Sequence, residues 1–376
     1  MNWIIKKYGP LLYNRYYVVN ERIEGLDVAR ALAMFGMLIV NYTVITHTST
    51  EGDHFLAIFM HLFEGRASAL FVILAGVGLT LLTKQAYLTQ EVTLLAKKRR
   101  DIQKRAAFLF GLGLLLYLIG WTGDILHYYG VYLFMASFVF QHSSKRLLVG
   151  AGSLIVFAQL AQIKWDYLAG WHPERPLLEY LDFWTAQGFL RHLLFNGYHP
   201  LLPWFSFLLI GLVLGRLLQR RQWRKPLCWW SIFVLISVET LARYLQHNST
   251  SWLDADSAFF LFGTGPIPPN IAYLLSNTAS SILLIIIVLW LCEKWGQTII
   301  LQALAYTGQL TLTHYVAHIL VGVTILEVWG RTSQQSLRFV LLFAVVYFII
   351  SVLCSYVWRK QYKRGPIEWC MRKIIQ

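Results

Sequence analysis

Charge is what this 376-residue chain has least of. Only 14% of its residues are Asp, Glu, Lys or Arg, while 57% are hydrophobic, and the mean hydropathy is +0.51. That balance excludes an ordinary soluble domain and a disordered chain. Four cysteines, Cys228, Cys292, Cys354 and Cys370, have no metal-binding spacing and read as free thiols. There is no Gly-x-Ser-x-Gly elbow and no Cys-based nucleophile motif. His314 and His318 lie four apart but lack the Glu of a zinc-protease helix, so no metal site is expected. Polar sequence at 14–24 precedes the first apolar run, and no cleavable signal peptide is read there.

What remains is long apolar sequence. A bilayer-spanning helix takes about 20 mostly apolar residues, and ten segments qualify: 26–45, 67–83, 106–122, 125–141, 147–163, 201–218, 227–245, 271–291, 304–326 and 337–358. The expected fold is an all-α polytopic helical bundle in a membrane. Residues 1–25 read as an amphipathic cytoplasmic segment, 26–358 as the transmembrane domain, and 359–376 as a basic cytoplasmic tail. With the N-terminus inside, the outer links hold only Lys164, Arg175, Arg191, Arg331 and Arg338, and nearly all other basic residues fall inside. That asymmetry predicts both termini in the cytoplasm. It also accounts for the net charge of +14, so the lipid bilayer and not nucleic acid is the expected partner.

Ionisable groups within an apolar frame mark candidate sites. Asn41 ends the first span on the outer side, Asp53 and His54 follow, and His61, Glu64 and Arg66 precede the second. Asp124 and His127, three apart and so on one helical face, begin the fourth span. His199, Asn270, Asn277, His314, Tyr315 and His318 bring further spans to the same outer or middle level. Imidazole, with an ordinary pKa near 6.5, is the best general base in this set. The link at 164–199 carries Trp165, Trp171, Trp184, Arg191 and His192, and its stretch 183–195 reads as an interfacial helix or lid.

Several motifs carry a resemblance. Arg-Ile-Glu-Gly-Leu-Asp-Val-Ala-Arg-Ala (22–31), a helix ending in Val-Asn, Phe-Glu-Gly-Arg (63–66) before Leu-Phe-Val-Ile-Leu-Ala-Gly (70–76), and Asp-Ile-Leu-His-Tyr-Tyr-Gly (124–130) resemble the YeiB family of bacterial membrane proteins. Pro-Leu-Leu-Pro-Trp (200–204), Leu-Gly-Arg (214–216) and Arg-Gly-Pro-Ile-Glu-Trp (364–369) extend the likeness over almost the whole chain. That family is grouped with the transmembrane acyltransferases typified by heparan-α-glucosaminide N-acetyltransferase. The resemblance implies an enzyme of a bacterial cell membrane that moves acetyl, or another short acyl group, from cytosolic acetyl-CoA to an outer hydroxyl or amine. A glycan, a cell-wall polymer, a lipid-linked sugar and a small amine are all open as acceptor, and a homodimer is open as assembly.

Residue by residue, the family's Leu-Asp-x-x-Arg matches Leu26, Asp27 and Arg30, and its helix-ending Asn matches Asn41. Its catalytic His is matched by His54, with His47 as rival. The Pro-Trp that opens the family's second span is replaced here by Phe63-Glu64-Gly65-Arg66, which separates acceptor choice from the family pattern. The implied roles are His54 as base or acyl carrier, Asn41 and His127 as oxyanion donors, and Asp124 as the group that orients His127. Arg30, Arg99, Arg100 and Arg105 would meet the acyl-CoA phosphates. A proton-coupled transporter using Glu64, Asp124 and His314 is the alternative from another class.

Overall fold

A computed structural model describes residues 23–48 and 53–376. The expected N-terminal segment therefore lies almost entirely outside the described residues. The rest is helical: α1 (Glu24–Ile45), α2 (His54–His61), α3 (Arg66–Thr89), α4 (Val92–Leu118), α5 (Leu126–Val139) and α6 (Ser144–Lys164) come first. A short antiparallel hairpin, β1 (Trp171–His172) with β2 (Arg175–Tyr180), interrupts the all-α pattern outside the apolar segments. After it come α7 (Ala186–Arg191), α8 (Leu201–Leu218), α9 (Arg224–Ser249), α10 (Ala255–Phe262) and α11 (Ile271–Trp295). The chain ends with α12 (Ile299–Gln309), α13 (Thr311–Ala317), α14 (Thr324–Val328), α15 (Leu337–Gln361) and α16 (Pro366–Ile375).

Among the described residues, eight helices are long and apolar enough to cross a membrane. Two of the ten expected spans do not meet that test, for different reasons. The helix expected at 106–122 is the far end of α4, whose first half carries Lys97, Lys98, Arg99, Arg100, Lys104 and Arg105 on the same continuous rod. The one expected at 125–141 is α5, whose 14 residues rise only about 21 Å. The ninth, expected unbroken over 304–326, is in pieces. Leu310 leaves helical geometry between α12 and α13, and residues His318–Val323 form a π-helical turn before α14. Thr307 and Thr311 donate their hydroxyls to the Ala303 and Gly308 carbonyls around the first break, competing with the helical ladder there. The expected basic tail is itself the helix α16, tied to the bundle by Glu368, which accepts from the Thr313 backbone N–H at 3.1 Å and from its hydroxyl.

The innermost elements are α1, α3 and α8. Close approach there requires glycine. A Cβ on Gly76 would overlap the Leu208 carbonyl, and one on Gly308 would overlap the Asp27 carbonyl, so α3 meets α8 and α12 meets α1 with backbones in contact. By contrast α9 and α15 present Trp229, Trp230, Phe233, Ile236, Leu342 and Leu353 outward, as lipid-facing helices do. Replacing Gly76 by Ala should destabilise the fold by roughly 1–3 kcal/mol through overpacking. Gly111→Ala, where an added Cβ meets nothing within 4 Å, should not. Thermal unfolding of both variants in detergent checks this, and equal midpoints for the two would refute the close-packing account.

Candidate active site

The site begins at the first turn of α5. Asp124 and His127 are both fully buried. One Asp124 oxygen accepts from the His127 backbone N–H and from His127 Nδ1, each at 2.9 Å. The other accepts from the Tyr315 hydroxyl at 3.1 Å. A carboxylate is acceptor-only, so His127 Nδ1 carries the proton and Nε2 presents a lone pair. That Nε2 is buried and has no hydrogen-bond partner among the described residues. Gly113 of α4 lets this happen, because a Cβ there would take the space of the Asp124 carboxylate and the His127 backbone.

Tyr315 ties a second pair to the first. Its hydroxyl also receives the Ile125 backbone N–H at 3.2 Å and the Trp121 indole N–H at 3.4 Å. Its carbonyl accepts from His318 Nδ1. A carbonyl cannot donate, so His318 Nε2 is the acceptor for the Asn41 amide N–H at 2.9 Å. The π turn that starts at His318 keeps this ring against α1, where the Tyr42 hydroxyl donates to the His318 carbonyl at 3.4 Å. A continuous chain of bonds thus runs from the half-buried Asn41 through His318, Tyr315 and Asp124 to His127.

The link at 165–199 covers His127. Phe183 stacks on Tyr117 at 3.7 Å between ring centres. The His192 ring lies nearly parallel to His127 at 6.2 Å and bonds the Tyr128 hydroxyl at 2.8 Å. Asn196, fully buried, accepts from Tyr180 and donates to the Tyr167 and Ala169 carbonyls, while Arg191 pairs with Asp182 at 2.6 Å. These bonds fix the cover without a large core of its own.

At the other end of α1, Arg30 pairs with Asp27 at 2.5 Å, and Gln309 donates to the second Asp27 oxygen at 3.3 Å. Arg30 and Arg105 both flank Tyr129 of α5, and the Arg105 Nε is buried without an acceptor among the described residues. Of the four arginines expected at a donor site, these two share Tyr129 as a neighbour. Arg99 donates instead to the Ser137 carbonyl at 3.3 Å beside the Phe138 ring, and Arg100 is exposed.

Of the polar residues expected at one level, Asn41, Asp124 and His127 fall in one hydrogen-bonded network. His54 stands apart, exposed at the first residue of α2. Its neighbour Asp53 caps that helix and pairs with Arg338 at 2.9 Å, whose hydrogen bond holds the Asp53 carboxyl below the usual range. His47 is also exposed, with a positive φ of 44°. His314 bonds Ser355 at 2.6 Å and His318 bonds Asn41, so the pair four apart serves two separate contacts. Sequence reasoning named Tyr315 and His318 as polar groups but not as members of the site. Their three-residue spacing on an apolar helix was the available signal.

The family comparison decides what this arrangement belongs to. A family model described as heparan-alpha-glucosaminide N-acetyltransferase, catalytic, matches residues 22–249. The chain belongs to that family. Its C-terminal part, residues 212–376, matches a second model, described as a protein of unknown function (DUF418). Over nearly its whole length the chain is similar to YeiB of Escherichia coli K12, 23% identical over 395 residues that cover 94% of this chain and 96% of the relative. It is also similar to YxaH of Bacillus subtilis 168, 22% identical over 410 residues and 94% of each chain. The chain is thus a YeiB-like membrane protein with an acyltransferase-type catalytic domain. Asn41, Asp124 and His127 lie in the catalytic match, and Tyr315 and His318 in the other.

One prediction concerns the cover. Burial, followed by the nearby His127, His199 and Arg191, pushes His192 well below its ordinary 6.5. The open state of the cover therefore binds a proton that the closed state does not, and closure weakens as pH falls below about 6.5. Proteolysis within residues 165–199 should rise between about pH 7.5 and about pH 5, and His192→Gln should flatten that rise. An unchanged pH profile in the variant would exclude His192 as the titrating group.

Proposed function

We propose that the protein is a membrane-embedded acyltransferase that carries an acetyl or other short acyl group from cytosolic acyl-CoA to a hydroxyl or amine acceptor at the outer face. The reading includes ten spans, both termini in the cytoplasm, and a bacterial plasma membrane. The observation that carries it is the buried Asp124–His127 pair, whose Nε2 is a lone-pair nitrogen with no hydrogen-bond partner among the described residues. His199 Nδ1 is likewise buried without a partner among the described residues, and what sets His127 apart is the Asp124 carboxylate on its Nδ1, which leaves Nε2 as an oriented acceptor of the kind a general base needs.

In this mechanism His127 Nε2 takes the proton from the acceptor O–H or N–H as the acceptor atom bonds to the thioester carbon. Asp124, bonded to Nδ1, holds the tautomer and stabilises the imidazolium that forms. The Asn41 amide, set by His318, offers its second N–H to the oxyanion. Collapse of the tetrahedral intermediate breaks the C–S bond, and the departing CoA thiolate takes the proton back from His127. Arg30 and Arg105 would receive the donor's phosphates, and the unpaired Arg105 Nε supports that placement. An amino sugar or other glycan is the acceptor the family name favours.

The test is thiol release from acetyl-CoA by the purified protein in liposomes, with amino sugars and bacterial lipid extract supplied as acceptors. His127→Ala should lower turnover by about 100-fold or more while acetyl-CoA binding persists. Asp124→Asn should fall in the same direction, because an amide at that position no longer enforces one tautomer. A full loss in His54→Ala with His127→Ala still active would transfer the base to His54. Absence of acetyl-CoA binding and turnover in every form would refute the enzyme.

A further inference from the structure

A second polar cavity lies away from this site, at the basic end of the bundle. The backbone contact between α3 and α8 continues to Gly215, where an added Cβ would press on Thr80 and Val77. Beyond it the last turns of α3 and α8 and the first turn of α6 enclose a cavity of about 280 Å³. Lys84, Arg216 and Arg220 line it, with hydroxyls from Thr83, Tyr87 and Ser144. No Asp or Glu is among its described lining residues.

Arg216 shows how the cavity is built. Its guanidinium lies 4.2 Å from the centre of the Tyr87 ring and donates to the Phe140 and His142 carbonyls, each at 2.8 Å, and to Ser144 Oγ at 3.2 Å. All three acceptors are neutral, so the charge is fixed in place and not cancelled. Closing off the last carbonyls after α5 accounts for Arg216. It gives no reason for Arg220 to face the same space. The start of α6, capped by Ser143, adds the positive end of a helix dipole.

Size narrows the ligand. At about 280 Å³ the cavity stands at the low end of sites for whole small molecules, roughly 300–1,000 Å³, and has room for a phosphate with its ester linkage. Basic pockets between membrane helices on the cytoplasmic side are where anionic lipid head groups bind. We propose that the cavity formed by Lys84, Arg216 and Arg220 binds the phosphate of an anionic phospholipid of the inner leaflet, bridging α3, α6 and α8. This site is independent of the acyl-transfer reading.

The experiment is thermal unfolding of the full chain in detergent with added phosphatidylglycerol, phosphatidylcholine, CoA or inorganic phosphate, with native mass spectrometry of retained lipid. Phosphatidylglycerol in hundredfold excess over its Kd should raise the midpoint by roughly 4 °C or more, and phosphatidylcholine should not. Arg220→Glu with Lys84→Gln should unfold near the wild-type midpoint without lipid and lose both the shift and the retained lipid. Arg220→Glu alone, at an exposed position, repeats the test should the double variant fold poorly. An equal shift in the variants, a shift with CoA or inorganic phosphate but not with phosphatidylglycerol, or no shift with phosphatidylglycerol would each overturn the proposal.

Discussion

One carboxylate in a membrane interior organises the functional half of this protein. Asp124 is inaccessible to water, and an unpaired carboxylate there is among the least favourable groups a fold can bury. Its oxygens take three donors besides the orientation they impose: the His127 backbone, the His127 ring and the Tyr315 hydroxyl. The donors and the space for them draw on three helices. Gly113 leaves room on α4, the first turn of α5 turns the His127 N–H and ring to the carboxylate, and α13 brings Tyr315 in from nearly 200 residues away in sequence. The break at Leu310 and the π turn at His318 bracket that tyrosine, so the irregular backbone of the ninth apolar segment falls where the polar network needs it.

The sequence made the frame legible because hydropathy is an average, and averages survive local irregularity. Segments 26–45, 201–218, 271–291 and 337–358 each correspond to one helix, α1, α8, α11 and α15. Segment 304–326 passes the same average and is still parts of three helices and a π turn. Its break depends on Gly308, Thr311 and a close contact with α1, which composition does not register. For the same reason hydropathy marks only 106–122, which takes in the apolar half of α4, although helix geometry extends back through a basic run that hydropathy rejects.

The site was partly legible. Asp124 and His127 are three apart on one helix, so spacing alone puts them together. Asn41 was found through its place in a motif, and its partner was not, because Asn41 and His318 are 277 residues apart. Spacing says nothing over such a separation. His54 illustrates the converse: a motif fixes which residue type stands in a loop, and the loop's own path then decides where that side chain goes.

The two matched regions meet in this network. The catalytic match supplies Asn41, Asp124 and His127, and the C-terminal match supplies Tyr315 and His318, which hold the Asp124 carboxylate and the Asn41 amide in place. Helix α1 carries the connection along its length, with Asp27 and Arg30 near its start and Asn41 near its end. Eleven residues of helix put Arg30 and Asn41 about 16 Å apart along the axis, roughly half the thickness of the hydrocarbon layer. A donor whose charged end stays at Arg30 and Arg105 must therefore send its reactive end between helices to reach Asn41 and His127. The long, flexible thioester proposed as donor would meet that requirement, whereas a compact activated acyl phosphate would hold its carbonyl beside the arginines, out of reach of the open His127 Nε2.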